Sequence, residues 1–153
     1  MTHLHFRRRL TMIGFALAFA GGLTGCGANP AVPSTTGHDL SMAPLSGMPA
    51  DVRSAPVVVR QAYQFAAANP GMLKQIPCYC GCGAIGHKSN YDCYVLGEDP
   101  KGNLNFDPHA LGCSLCVDIT QDTMRMLREG KSISAIRGYV DATYAKYGTS
   151  NMP

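Results

Sequence analysis

Apolar residues recur at helical spacing in three stretches of the chain, and one further stretch near the start is apolar almost throughout. In the first periodic stretch, Val57 to Ala68, the residues Val58, Ala62, Phe65 and Ala66 share one stripe, which predicts an amphipathic helix. Ser54-Ala55-Pro56 precedes it, a capping residue followed by a proline that a first helical turn tolerates, and Asn69-Pro70-Gly71 stops it. The second stretch runs from about Cys113 to Glu129, repeats Leu115, Ile119, Met126 and Leu127, and ends at Gly130, a residue suited to a left-handed cap. Ser132 caps the third, in which Ile133, Ile136, Val140, Tyr144 and Tyr147 form the apolar face and Gly148 closes the helix. The short Gly130-Lys131 connection makes these last two helices antiparallel neighbours. Met72 to about Leu111 shows no period and is broken by glycine and proline, and Gly97 to Asn103 within it reads as an exposed loop. The expected fold class is therefore mainly α: a small bundle of about three helices with a closing antiparallel hairpin, carrying a long cysteine-rich irregular loop. Helices of this size leave a thin core, so the loop needs a staple.

The apolar run Leu10 to Leu23 is too short to span a bilayer and follows three positive residues, Arg7, Arg8 and Arg9, as in an export signal. Arg8-Arg9 hints at twin-arginine export, but the residues after the pair match that route poorly. The run ends in Leu23-Thr24-Gly25-Cys26, which resembles the lipobox of bacterial lipoproteins. That resemblance implies cleavage before Cys26, a diacylglycerol on its thiol and acylation (palmitate) of the new amino group, enough to hold a protein on a membrane. Residues 27 to about 50 are rich in Gly, Pro, Ser, Thr and Ala and read as a tether, in which His38, Met42 and Met48 are incidental rather than ligands. The expected organisation is a signal peptide over 1–25, a lipidated cysteine and tether over 26–50, and a cysteine-rich domain over 51–153. The expected location is the extracytoplasmic face of the cell membrane, with the membrane itself as partner through Cys26. The net charge of +3 rests on Arg7, Arg8 and Arg9, since the remaining bases equal the acids in number, so the mature chain offers no basic patch for nucleic acid.

Six cysteines remain after Cys26: Cys78, Cys80, Cys82, Cys93, Cys113 and Cys116. Three lie in Pro77-Cys78-Tyr79-Cys80-Gly81-Cys82-Gly83. This run, with Gly86 to Asn90, Asp92-Cys93-Tyr94-Val95 and Cys113-Ser114-Leu115-Cys116, resembles the bacterial PCYCGC-motif lipoprotein family over roughly residues 72 to 148. The resemblance implies a membrane-anchored lipoprotein and carries little about chemistry, which must come from the residues.

In an extended chain, alternate residues point the same way about 6.5–7 Å apart, too far for sulfurs on one metal, so the triple motif needs a bend. Gly81 and Gly83 permit one. A disulfide between cysteines two apart is strained, so a disulfide framework would pair Cys78, Cys80 and Cys82 with Cys93, Cys113 and Cys116. In that case the chain holds no cofactor and is a stapled interaction module. The preferred reading is metal. Closely spaced soft thiolates favour Cu(I) ahead of Zn(II), and six sulfurs exceed the four of a structural zinc site. A metal-transfer protein then becomes a partner. His87 and His109 lie within the cysteine region, and His87 is preferred as a ligand because the turn at Gly83 to Gly86 can fold it back. Tyr79, Tyr91 and Tyr94 are expected to pack over the cluster.

A third reading is thiol–disulfide exchange. Cys113-Ser114-Leu115-Cys116 opens a helix, where the dipole favours a thiolate. The segment Cys113 to Gly148 is similar to the helical thiol-oxidoreductase subunits of cytochrome c maturation, although the other four cysteines depart from that pattern. No Ser-His-Asp arrangement, phosphate loop or paired-carboxylate motif is present, so a non-enzymatic role is expected.

Overall fold

The computed structural model describes residues 39–153, and the expected export segment, Cys26, His38 and most of the expected tether lie outside them. Packing begins earlier than the composition suggests. Leu40, Ala43 and Leu45 rest on the core and Met48 is buried, because this stretch lies against the helix over Val57–Ala68. Gln64 Nε2 donates to the Ala43 carbonyl at 2.8 Å and fixes that contact.

A short helix α1 (Ala50–Ser54) precedes α2 (Val57–Ala68). Ser54 does not cap α2: it ends α1, where its hydroxyl donates to the Asp51 carbonyl at 3.0 Å, and Pro56 takes the cap position. The buried stripe of α2 is Ala62, Tyr63, Phe65 and Ala66, whereas Val58 is half exposed. Ala62, Phe65 and Ala66 are thus buried as expected, and Tyr63 rather than Val58 completes the stripe, its ring burying more area than a valine would. One further turn, α3 (Pro70–Leu73), places Leu73 in the core.

The irregular region holds one feature that periodicity does not reveal. β1 (Val95–Glu98) pairs antiparallel with β2 (Leu104–Phe106), with a bulge between Val95 and Gly97. The exposed turn between them is organised by Asp99, whose carboxylate accepts from the backbone of Lys101 and Asn103 and from the Asn103 amide.

Two longer helices follow as expected. α4 (Ser114–Arg128) buries Cys116, Val117, Ile119, Thr120, Thr123, Met124 and Met126, and Gly130 beyond it adopts φ 74°. Ser132 caps α5 (Ile133–Tyr144), its hydroxyl accepting from Ala135 N at 3.2 Å. Helix α4 packs against both α2 and α5. Tyr147 is exposed rather than buried, since residues 145–147 form a 3-10 turn whose tighter period carries it off the stripe. The mainly helical fold with a cysteine-rich loop is thus borne out. Among the described residues, no helix is long and apolar enough to cross a membrane.

The loop is fastened to the bundle through buried aromatics. The Tyr63 hydroxyl donates to the Asp107 carbonyl at 2.6 Å, and its ring meets Tyr94 edge-on at 5.0 Å between centroids. Tyr94 in turn lies against α4, its hydroxyl donating to the Cys116 carbonyl at 2.8 Å.

Candidate metal centre

Four segments bring the six sulfurs and His109 together. After Cys80 the chain bends at Gly81, which takes φ 85°, a conformation that favours glycine. A 3-10 turn, Cys82–Ile85, ends at Gly86 with φ 94°, and the next amide, His87 N, donates back to the Cys82 carbonyl at 3.3 Å. A second 3-10 turn places Cys93 beneath the motif, a third places His109, and Cys113 stands at the start of α4 with Cys116 one turn inside it.

The resulting distances are short. Cys78 Sγ lies 3.5 Å from Cys80 Sγ and 3.4 Å from Cys116 Sγ. Cys80 Sγ is 3.5 Å from both Cys116 Sγ and His109 Nε2. Cys116 and Cys113 are 3.3 Å apart, and Cys82 and Cys93 are 3.7 Å apart. A disulfide needs sulfurs about 2.05 Å apart, and none forms among the described residues, where all six cysteines are free. Sulfurs about 2.3 Å from a tetrahedral ion would lie roughly 3.8 Å from one another, close to the spacings found here. The cluster can therefore hold a metal ion with small adjustments of side chains. Potential ligand atoms fall into four mutually close groups: Cys80, His109, Cys113 and Cys116; Cys82, His87, Cys93 and His109; Cys78, Cys93 and Cys116; and Cys78, Cys80 and Cys82.

Asp107 holds both histidines. His87 Nε2 pairs with Asp107 Oδ2 at 3.2 Å, and the other oxygen of Asp107 accepts from His109 N at 2.7 Å. His87 is buried, yet its Nδ1 has no hydrogen-bond partner. An imidazole tied to a carboxylate through one nitrogen and free at the other is the usual arrangement of a metal-ligating histidine.

Charge within the cluster is unequal. The Cys78 thiol is pulled well below the ordinary value of 9.0, because the thiols of Cys116, Cys82 and Cys93 surround and stabilise its thiolate. Those of Cys116 and Cys82 are pushed up chiefly by Cys78, and that of Cys93 by Cys116 and then Cys78. Burial raises Cys80, with the neighbouring Cys78 adding to it. Negative charge in the metal-free cluster is thus favoured on Cys78 over Cys80, Cys82, Cys93 and Cys116, and an ion bound by these raised thiols displaces their protons.

All seven ligands singled out from the sequence, Cys78, Cys80, Cys82, Cys93, Cys113, Cys116 and His87, lie in these groups, and Cys26 lies outside the described residues. His109, ranked behind His87 in the sequence, stands beside the sulfurs in two of the groups. Of the tyrosines, Tyr94 packs on Cys116, while the Tyr79 hydroxyl points away to Asp141 at 2.6 Å and Tyr91 lies under Lys74. Two supporting residues are not apparent from spacing. Asp107 carries only the hint of standing two residues before His109. Asn151, near the end of the chain, has no sequence signal at all, yet it bonds Cys78 through both side chain and backbone and places its amide 3.5 Å from Cys82 Sγ.

A family model described as a protein of unknown function with a PCYCGC motif matches residues 19–152. No curated protein and no solved structure matches the chain.

Proposed function

The chain belongs to the PCYCGC-motif family, and from the site built around that motif we propose a non-enzymatic, lipid-anchored protein that binds a thiophilic metal, Cu(I) ahead of Zn(II), outside the cytoplasmic membrane. The observation that carries this reading is the convergence of six unbonded sulfurs and two histidines at metal-ligand spacing. Cu(I) is preferred on donor chemistry. The site is richer in sulfur than a single zinc requires, and soft thiolates in contact with several others suit bridged Cu(I). A bound ion also keeps such thiols reduced in an oxidising compartment. The role is sequestration or hand-over to a partner protein.

The anchor belongs to the same reading and is supported by Leu23-Thr24-Gly25-Cys26 after a short apolar run. Cys26→Ala is expected to leave the precursor uncut or to free it from the membrane fraction. A mature variant that still requires detergent would refute the anchor.

Thiol–disulfide exchange is the second reading, favoured by the 3.3 Å approach of Cys113 and Cys116 at the start of α4. One experiment separates the two: free-thiol titration with elemental analysis of anaerobically purified protein, followed by Cu(I) titration. More than one equivalent of Cu(I) per reduced chain is expected. A protein that arrives with three disulfides and binds no metal after reduction would overturn the metal reading. Exchange would need Cys113 and Cys116 alone and would survive loss of the other four cysteines.

A further inference from the structure

The cluster is not one uniform nest of sulfurs. Two of its groups are complete four-ligand sets, and they have no sulfur in common: Cys80, Cys113 and Cys116 belong to one, Cys82 and Cys93 to the other. His109 stands in both sets, between them. Cys78 is in neither, and each of the two remaining groups joins it to one sulfur from each set, Cys116 with Cys93 and Cys80 with Cys82. Cys78 therefore occupies the position of a bridge.

The two sets also differ in access. In the first, Cys80, His109 and Cys113 are only partly buried, and Cys116 alone is fully enclosed. In the second, Cys82, Cys93 and His87 are all buried, and only the shared His109 is not. His87 belongs to this inner set, with its unpartnered Nδ1 and its Nε2 tied to Asp107.

Building on the metal reading above, we propose that the cluster is two sites in series: an outer exchange site of Cys80, Cys113, Cys116 and His109, and an inner storage site of Cys82, Cys93 and His87, joined through the Cys78 sulfur. A soft ion moves between thiolates by ligand exchange, in which an incoming sulfur binds before the outgoing one leaves. Each protonated thiol that joins the ion gives up its proton to solvent, a thiolate or neutral imidazole binds as it stands, and no electron changes hands. An ion arriving on a thiol-bearing donor meets Cys80 and Cys113 first, and Cys78 is the sulfur that reaches from this shell to the inner one. Release follows the same order in reverse, so the inner ion leaves later than the outer.

The test uses the full, reduced chain carrying Cys26→Ser, so that only the six clustered cysteines bind. The protein is loaded anaerobically with two equivalents of Cu(I) and challenged with an excess of a bidentate Cu(I) chelator, whose complex is followed by absorbance. Two resolved phases of similar amplitude are expected. Cys113→Ser should abolish the fast phase and keep the slow one. Cys82→Ser should abolish the slow phase. Asp107→Asn leaves every sulfur in place, keeps one oxygen to accept from His109 N and puts an amide nitrogen where the acceptor for His87 Nε2 stood, so it should speed the slow phase by roughly 10–100-fold, the usual loss on removing a partner of a ligating histidine, and spare the fast one. Release in one phase from the unsubstituted cluster, or equal effects of Cys113→Ser and Asp107→Asn on both phases, would overturn the serial arrangement and leave metal binding standing. A reduced chain that takes up no Cu(I) would remove both.

Discussion

Asn151 grips the backbone of Cys78 from two sides, accepting from its amide at 2.7 Å through Oδ1 and donating its own amide to the Cys78 carbonyl at 3.1 Å. Its Nδ2 donates to the Ser89 carbonyl at 3.1 Å, so one side chain ties the triple-cysteine turn to the segment leading to Cys93. Gly148 passes close by. A Cβ there would lie 2.7 Å from the Tyr79 carbonyl oxygen, so the terminal segment can lie along the motif only because position 148 has no side chain. Asn151→Ala strips an acceptor from a partly buried amide and is expected to cost about 1–3 kcal/mol, read from urea unfolding of the reduced protein. Cu(I) affinity should fall with it, because Cys78 loses its hold. A variant as stable and as tight-binding as the parent would show that the clamp does nothing. Residues of this kind escape a reading of the sequence for a physical reason. The cysteines announce themselves by chemistry and spacing, whereas Asn151 is one polar residue among many until the fold brings it 73 positions back along the chain.

At the level of elements, the start of α4 is the hinge between bundle and site. Cys113 takes its N-cap position without a side-chain cap bond, and the first turn is steadied by a buried polar network instead. The Tyr94 hydroxyl donates to the Cys116 carbonyl, the Asn90 amide donates to the same oxygen at 3.2 Å, and Thr120 Oγ1 donates to Asn90 Oδ1 at 2.6 Å. Tyr94→Phe keeps the ring in place against Tyr63 and removes one hydroxyl from this network. It should cost about 1–2 kcal/mol in urea unfolding with the number of reactive thiols unchanged, and a loss below about 0.5 kcal/mol would mean that the network does not hold the turn. Helices α2, α4 and α5 were legible because each is long enough to repeat its apolar residues over several turns. The five residues of α1 and the three or four of β1 and β2 are too short to show a period, and a bulge interrupts β1 as well. Ser54 misled because a capping residue before Pro56 fits two helices equally well, and the chain forms both.

For the whole molecule, the reduced and metal-free protein must fold around thiols that ionise unequally, which fixes the shape of its stability curve against pH. In the unfolded chain all of these thiols titrate near 9.0. In the folded chain Cys78 is far lower, while Cys80, Cys82, Cys93 and Cys116 are higher. Well below 9.0, then, the unfolded chain carries a proton at Cys78 that the folded chain lacks, and stability rises with pH. Above 9.0 the unfolded chain loses protons that the four raised thiols keep when folded, so the sign reverses and stability falls. The tyrosines pushed up by burial, Tyr63, Tyr94, Tyr144 and also Tyr79, raised to about 12, steepen the fall beyond 10. Urea midpoints measured anaerobically from pH 6 to 11 should therefore peak between about 8 and 9, with the steeper limb on the alkaline side where four thiols act against one. Cu(I) loading should flatten that limb up to about 10, because ligated sulfurs have already given up their protons. Stability that stays level or climbs from pH 9 to 11 in the metal-free protein would mean that the sulfurs do not share protons as a single buried cluster.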